Sequence, residues 1–258
     1  DIKDIIHIYI THMDEEITKH IKLIKYMFNE NKKNPNVLGK LIDKYLIPQE
    51  IHKRNFAEVS TIYKCREEMI NTIPKKFWES QKKVFEPCSG KGGFIVDIID
   101  KFMHGLKNKY PNEEERKKVI LEQCLYFCDI NSINIFICKL LIDPDNKYKL
   151  NYYEGNTLEL DITKTTDKWK GITGFDAIIG NPPYNKVNKD GKTKQGKKKL
   201  YCDFIDYSLK NLNKNGYLCF VTPSSFLTGS MSIYNKIISY NLLLLNVDNI
   251  QKKYFPQI

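Results

Sequence analysis

Several common functional patterns are missing from this sequence, and each absence narrows what the protein can do. The seven cysteines form no Cys-x-x-Cys pair and no Cys/His ligand spacing, which argues against a zinc site. The longest apolar runs, IFICKLLI and LLLLNV, are far shorter than the roughly 18 residues that span a bilayer. No secretory signal peptide is recognisable. We therefore expect a soluble, intracellular protein with reduced cysteines, no membrane contact and no metal.

Histidine bases and a surplus of acidic residues are also lacking. All five histidines lie at or before His104, so the second half of the chain has no imidazole base. The 31 acidic residues are outnumbered by 41 Lys and Arg, which gives a net charge of +10. This excess suits a polyanionic partner such as nucleic acid, although many basic proteins have none.

The hydrophobic pattern changes near residue 80. Residues 1–80 show apolar spacing typical of helices, and one helix is expected at 61–73, ended by Pro74. From residue 81, short apolar strands alternate with helical patterns as far as a last expected strand at 242–247. We predict an N-terminal helical region at 1–80 and an α/β domain at 81–258 with a doubly wound, mostly parallel sheet. Such sheets bind ligands beyond the carboxyl ends of their strands.

A glycine-rich turn follows the first strand, in EPCSGKGGF (residues 86–94). Gly90 and Gly92 would let the backbone approach a ligand closely, and the next helix N-terminus favours polar or anionic groups. The turn is not a P-loop, because the Lys-Ser/Thr ending is missing, and its glycine spacing does not fit the dinucleotide fingerprint. By itself it fits a tight strand–helix connection as well as a cofactor site.

Polar residues end the next two predicted strands. Asp129 could accept hydrogen bonds from ribose hydroxyls, or it could cap the helix that starts near Ser132. Asn156 could read an adenine edge through its amide, or it could be a turn residue and nothing more. Neither residue indicates a function by itself.

The fourth predicted strand ends in Asn-Pro-Pro-Tyr, residues 181–184. Two consecutive prolines remove two backbone donors and fix two φ angles, so neither a helix nor a central strand continues there. The result is a stiff elbow that carries one carboxamide and one aromatic ring. Residues 185–199 then contain seven lysines and form a loop that either grips phosphates or stays solvated.

In this order the motifs resemble those of class I S-adenosylmethionine-dependent methyltransferases. The resemblance is closest to the N6-adenine DNA methyltransferases of restriction–modification systems, in the gamma motif order, and covers about residues 56–258. EPCSGKGGF, CDI and GNTL resemble three cofactor motifs, and NPPY resembles the catalytic motif. The resemblance implies a Rossmann-like sheet, S-adenosyl-L-methionine as cofactor, and DNA methylation of double-stranded DNA. It also implies a fused or separate endonuclease or specificity subunit, and a target-recognition region beyond residue 258.

The resemblance assigns roles to particular residues. The Asn181 side-chain oxygen and the Pro182 carbonyl would accept hydrogen bonds from N6 of an adenine flipped out of the duplex. Pro183 would stiffen the bend, and Tyr184 would stack on the base. The implied cofactor contacts are Thr61, Glu86, Pro87, Ser89, Gly90, Gly92, Phe94, Asp129, Ile130, Asn156 and Asn181.

Three residues depart from the family pattern. Ile62 follows Thr61 where proline is frequent, Lys91 stands where a small residue is usual, and Asn156 replaces a frequent Asp. All three bear on cofactor contacts. None removes the carboxamide or the ring of the elbow.

Two other functions stay open on the sequence. The NPPY motif is shared with methyltransferases that act on RNA or on a protein glutamine. The chain could also be a non-catalytic subunit that binds cofactor or DNA within a larger complex. The Glu-Pro pair at 86–87 and the segment from LYCDF to VTPSSF favour the DNA methyltransferases.

Overall fold

The computed structural model describes residues 60–164, 169, 171–184, 199–229, 232–247 and 250–255. It also describes six isolated helical residues between Lys22 and Lys40. Apart from these six, the predicted helices of the first 59 residues lie outside the described residues, as do residues 185–198 of the lysine-rich loop.

The described part of the chain alternates strands with helices. The longer elements are α1 (Tyr63–Asn71), β1 (Val84–Glu86), α2 (Gly93–Gly105), α3 (Glu113–Val119), β2 (Leu125–Asp129), α4 (Ser132–Ile142), β3 (Asn151–Glu154), β4 (Phe175–Gly180), α5 (Leu200–Lys210), β5 (Leu212–Phe220), α6 (Ser232–Ile237) and α7 (Ile250–Tyr254). Short 3₁₀ turns lie at Lys75–Glu79, Thr157–Glu159 and Ser224–Thr228, and a π-helical turn at Ile120–Cys124 joins α3 to β2.

The five strands form one parallel sheet in the order β3-β2-β1-β4-β5, which confirms the predicted doubly wound α/β fold. The chain starts in the middle at β1, winds outward to β2 and β3, and then returns to β4 on the other side of β1. The switch point therefore lies between β1 and β4. In open α/β sheets the crevice beyond the carboxyl ends at this point is where ligands bind.

Both faces of the sheet are covered, because strand side chains alternate between two apolar clusters. Val84 and Phe127 point into the cluster that contains α2 and α4. Phe85 and Tyr126 point into the opposite cluster, where the ring of Trp169 lies 5.8 Å from that of Phe85. The central strand β1 is thus buried on both faces, which fixes the position of Glu86 at its end.

The segment before β1 packs into the same core as the sheet. Ile70 of α1 and Phe77 and Trp78 of the following turn lie in the α2 cluster, and the Trp78 ring meets Phe102 edge-to-face at 5.0 Å. The helix predicted at 61–73 is confirmed, with shorter bounds. The core therefore includes residues before position 80, and the division of the chain into two domains there stays a prediction.

Two parts of the fold differ from the expectation. The sequence reasoning missed α3, whose charged stretch EEERKKV has no apolar stripe; Asn112 caps it by accepting from the Glu115 N–H at 2.9 Å. Residues 242–247, expected as a strand, pair with no strand in the described part of the chain. Their side chains are exposed, with Leu243 at 73%. None of the described helices is long and apolar enough to cross a membrane.

Candidate active site

The turn between β1 and α2 is built on glycines with left-handed backbone. Gly90 has φ 50° and Gly92 has φ 84°, a region that side chains with a Cβ rarely adopt. A Cβ at Gly92 would also lie 3.2 Å from the Cys138 sulfur. The Ser89 N–H donates to the Cys128 carbonyl of β2 at 2.9 Å, which anchors the turn to the sheet. The turn is a fixed loop of backbone at the carboxyl end of β1.

Asp129 at the end of β2 clamps this turn in place. Its carboxylate accepts hydrogen bonds from the Gly90 N–H at 2.8 Å, the Asn131 N–H at 2.8 Å and the Asn134 amide at 3.3 Å. The helix-capping role considered for Asp129 belongs to Asn131, whose side chain accepts from the Ile133 N–H at 3.1 Å. Each oxygen of a carboxylate can accept more than one hydrogen bond, so Asp129 keeps capacity for hydroxyls.

Ile130 follows Asp129 and is 59% exposed, whereas Asp129 itself is 7% exposed. An exposed apolar side chain thus follows a buried carboxylate at the carboxyl end of β2. This pairing suits a ligand with a flat apolar ring and adjacent hydroxyls.

Asn156 follows β3 and uses its side chain locally. Its oxygen accepts from the Leu158 N–H at 3.1 Å and its amide donates to Glu159 at 2.7 Å, so it caps the short turn after β3. The next residue, Thr157, is 3% exposed and its hydroxyl donates to the Pro87 carbonyl of the glycine-rich turn. The sequence reasoning missed Thr157, for which the hydroxyl in GNTL was the available signal.

Glu86 is the buried acid of the site. It is 1% exposed, and its Oε2 atom has no hydrogen-bond partner among the described residues. Burial raises the pKa of this carboxyl well above its usual range, and the nearby Arg66 guanidinium opposes that rise. A buried acceptor left unsatisfied at the carboxyl end of the central strand, beside the switch point, is a candidate for a ligand ammonium.

The NPPY elbow lies directly beside the glycine-rich turn. A Cβ at Gly180, which ends β4, would lie 3.5 Å from Pro87 and 3.6 Å from the Cys88 sulfur. Asn181 follows, and its amide nitrogen donates to the Thr61 hydroxyl at 3.0 Å. Pro182 is buried and Pro183 is partly exposed. The carboxamide is therefore held at the switch point, next to the end of β1.

Tyr184 is half-buried at the end of the elbow. Its carbonyl accepts from the Leu200 N–H at 3.0 Å, which places Tyr184 next to the start of α5. Its ring meets Tyr201 edge-to-face at 6.5 Å, and burial raises the pKa of its hydroxyl to about 12. The ring is neutral at ordinary pH.

Arg66 ties the segment before α1 to α2, and the sequence reasoning missed it. It is 2% exposed, its Nε donates to Asp97 at 2.6 Å, and its Nη1 donates to the Thr61 carbonyl. A Cβ at Gly93 would lie 2.8 Å from the guanidinium carbon. An arginine on the apolar side of a short helix, between Cys65 and Ile70, was the available signal.

The structure gathers most of the predicted site residues at one edge of the sheet. Phe94 is an exception, since it is 3% exposed in the core, and Asn156 is another because its side-chain oxygen caps the short turn after β3. Among the described residues no group of acidic, Cys or His side chains is placed to hold a metal ion. The individual binding and catalytic roles stay predictions.

The sequence profile of the Eco57I restriction-modification methylase family matches residues 123–255, just over half of the chain. The chain belongs to this family. The match includes β2, β4, the NPPY elbow and the segment that follows it. Membership confirms the resemblance read from the motifs.

Curated relatives match different lengths of this family member. An uncharacterised adenine-specific methylase of Mycoplasma pneumoniae is 27% identical over 129 residues, covering 50% of this chain and 28% of its own length. The type II restriction enzyme and methyltransferase RM.BcgI of Heyndrickxia coagulans is 26% identical over 148 residues, covering 57% and 21%. The chain thus spans less than a third of the length of the curated relatives it matches.

Solved structures agree on the fold. The modification subunit of a putative type I restriction enzyme from Vibrio vulnificus aligns with TM-score 0.52 at 18% identity, over 78% of this chain and 42% of its own. A putative class I S-adenosylmethionine-dependent methyltransferase from Listeria monocytogenes aligns with TM-score 0.51 at 14% identity, over 80% and 58%. The sheet of this family member therefore has the same fold as these two proteins.

Proposed function

We propose that this chain carries the methyl-transfer site of a site-specific DNA adenine-N6 methyltransferase of a restriction–modification system. The observation that carries the proposal is the carboxamide of Asn181, held by Thr61 at the switch point beside the glycine-rich turn. The names of two relatives, an adenine-specific methylase and a type II restriction enzyme and methyltransferase, support the same reading.

The residues present fit S-adenosyl-L-methionine. Glu86 would accept from its ammonium, because the carboxyl is buried with one oxygen unsatisfied among the described residues. Asp129 would accept from ribose hydroxyls, and the exposed Ile130 would lie against the adenine ring. Gly90 and Gly92 leave no side chain between the backbone and the ligand. When bound, this cofactor supplies a methyl group on a positively charged sulfur.

The elbow prepares the acceptor nitrogen. The N6 amine of adenine is a poor nucleophile because its lone pair is delocalised into the ring. The Asn181 side-chain oxygen and the Pro182 carbonyl would accept the two N6 hydrogens, which favours a tetrahedral nitrogen and stabilises the charge that develops on it. The prolines hold these acceptors still. With a neutral carboxamide at position 181, water takes the released proton.

An adenine inside a duplex cannot reach this crevice, so it must be flipped out. Tyr184 would stack on the extruded base, which offsets the lost pairing by about 1–3 kcal/mol. The lysine-rich loop between Tyr184 and Leu200 would neutralise phosphates of the same strand. A restriction enzyme or a specificity subunit would act together with this site, as the name of the type II restriction enzyme and methyltransferase RM.BcgI suggests.

Product analysis tests the proposal. The full-length protein is incubated with labelled S-adenosyl-L-methionine and mixed-sequence duplex DNA, and the digested nucleosides are separated by mass spectrometry. Label on N6-methyl-2′-deoxyadenosine supports the proposal. Label found only on RNA or on a protein glutamine in parallel reactions overturns the substrate, and cofactor binding without transfer to any acceptor overturns the catalytic role.

A further inference from the structure

We infer that Thr61 is a positioning residue for methyl transfer: its hydroxyl holds the Asn181 carboxamide, and the buried Arg66–Asp97 pair holds Thr61. The inference rests on the proposed function. It adds a second task to a residue that the family resemblance places at the cofactor, and it brings in two residues that the resemblance does not mention.

The first link joins positions 120 residues apart in the chain. The Asn181 amide nitrogen donates to the Thr61 hydroxyl oxygen at 3.0 Å. A carboxamide has a donor end and an acceptor end, and a methyl-accepting amine needs the acceptor end. With the nitrogen engaged by Thr61, the oxygen would be the end that accepts from the amine. The hydroxyl thus holds the side chain in place before the base arrives, so that less ordering remains to be done in the transition state.

The second link fixes Thr61 itself. Thr61 lies outside α1, and the N-terminus of that helix has no side-chain cap. The Thr61 carbonyl accepts a hydrogen bond from Arg66 Nη1. Arg66 Nε in turn donates to Asp97 on α2 at 2.6 Å. Arg66 and Asp97 are 2% and 8% exposed. A buried bond between a guanidinium and a carboxylate is short, directional and stiff, so it transmits the position of α2 to Thr61.

The close packing of Gly93 against the Arg66 guanidinium supports a fixed position for this arginine. A Cβ at Gly93 would lie 2.8 Å from both Cζ and Nη1 of the guanidinium. Glycine at the first position of α2 therefore makes room for the arginine plane. The hydrogen bonds thus run from Asp97 on α2 through Arg66 and Thr61 to Asn181. They connect the helix that follows the glycine-rich turn with the NPPY elbow.

Thr61 variants separate positioning from cofactor binding. In the full-length protein, Thr61→Val keeps the shape of the side chain and removes the hydroxyl, whereas Thr61→Ser keeps the hydroxyl. Single-turnover rates are measured with saturating DNA and cofactor, alongside the cofactor Kd by calorimetry and the melting temperature. We expect Val to slow transfer about 3- to 10-fold with little change in Kd or melting temperature, and Ser to stay within about twofold of the wild type.

A normal rate for Thr61→Val, or a loss that follows the cofactor Kd alone, overturns the inference. Either result leaves the proposed function standing as long as the wild type methylates adenine and Asn181→Ala is about 10²- to 10³-fold slower. Absence of transfer by the wild type would instead refute the proposed function. The two failures are therefore distinguishable in one set of reactions.

The Arg66–Asp97 pair is tested by a charge-neutral double variant. Arg66→Gln with Asp97→Asn removes both charges together, because removing only one would leave a buried unpaired charge. Lys64→Gln, which removes a cation from the exposed side of α1, is the matched control and should keep the wild-type rate. If the double variant does not fold by circular dichroism, Arg66→Lys replaces it, keeping the charge and losing the planar fork.

The pair variant and Thr61→Val act through one chain of contacts, so their effects should not add. We expect the pair variant to slow transfer, and its combination with Thr61→Val to be no slower than the slower of the two within about twofold. Rate losses that multiply, or a pair variant with the wild-type rate, overturn the role of Arg66 and Asp97.

Discussion

Replacing Glu86 by Gln should stabilise the cofactor-free protein, and the gain should grow with pH. Glu86 is 1% exposed at the end of the central strand, and burial raises the pKa of its carboxyl well above the usual range. Arg66 opposes this rise, whereas Asp129 and Asp97 add to it. The folded protein therefore keeps the Glu86 proton at pH values where the unfolded chain, with a pKa of about 4.3, has lost it.

The magnitude follows from proton linkage. Above about pH 4.3 the unfolded state binds one proton fewer at this position than the folded state, so stability falls by about 1.4 kcal/mol per pH unit until the folded pKa is reached. Below about pH 4.3 the carboxyl is protonated in both states, so Glu86 causes no pH-dependent loss of stability there. Glutamine has no proton to lose. The free energy of unfolding of Glu86→Gln minus that of the wild type should rise with this slope and then level off.

Denaturant unfolding at several pH values between 4 and 8 measures the difference directly. Glu115→Gln, which removes an exposed glutamate from α3, controls for the loss of one negative charge. If the Glu86→Gln difference stayed flat over the whole range, the carboxyl would not be held protonated, and the reasoning about its burial would fail. Saturating cofactor should reduce the advantage of Gln, because a ligand ammonium stabilises the Glu86 anion.

Three further predictions concern the fold and the DNA contacts. Gly105→Ala should lower the free energy of unfolding by about 1–3 kcal/mol, because its Cβ would overlap the Trp78 carbonyl. This cost outweighs a gain in helix propensity of at most about 1 kcal/mol. A variant more stable than the wild type in chemical denaturation would contradict the packing. Tyr184→Ala should slow methylation about 5- to 150-fold while Tyr184→Phe stays near the wild type, as measured by single-turnover transfer; equal losses in both would argue against stacking. Replacing Lys197 and Lys198 by Gln should weaken DNA binding and reduce the slope of log K against log salt by about 0.9 for each phosphate that is no longer neutralised; an unchanged slope in fluorescence titrations would mean that these lysines do not bind the strand.

The doubly wound, mostly parallel sheet could be predicted from the sequence because the information is local. Each buried strand is a short apolar run, and each ends in a polar or glycine signal: Glu86, Asp129, Asn181. Parallel strands put their carboxyl ends at one edge, so these residues had to lie near each other once the alternation of strands and helices was recognised. The NPPY elbow was visible because two prolines leave few other backbone paths.

The contacts between distant segments could not be read in this way. No local sequence pattern predicts the hydrogen bond between Thr61 and Asn181 or the one between Arg66 and Asp97. Both contacts depend on how α1 and the segment before it pack against the rest of the domain. Residues 242–247 show the opposite error, a strand that was predicted and is absent from the described sheet. A β-like apolar run was expected to join the sheet, yet strand pairing depends on a neighbouring strand, and among the described residues none pairs with it.

The central claim is that the Asn181 side-chain oxygen accepts from the reacting amine. Its most direct test is the single-turnover methylation rate of Asn181→Ala in the full-length protein, with saturating cofactor and adenine-containing duplex and with cofactor Kd checked in parallel. Loss of one acceptor aimed at the reacting nitrogen predicts a rate about 10²- to 10³-fold below the wild type at a similar Kd. A rate within a few-fold of the wild type would contradict the assignment of the elbow as the catalytic element.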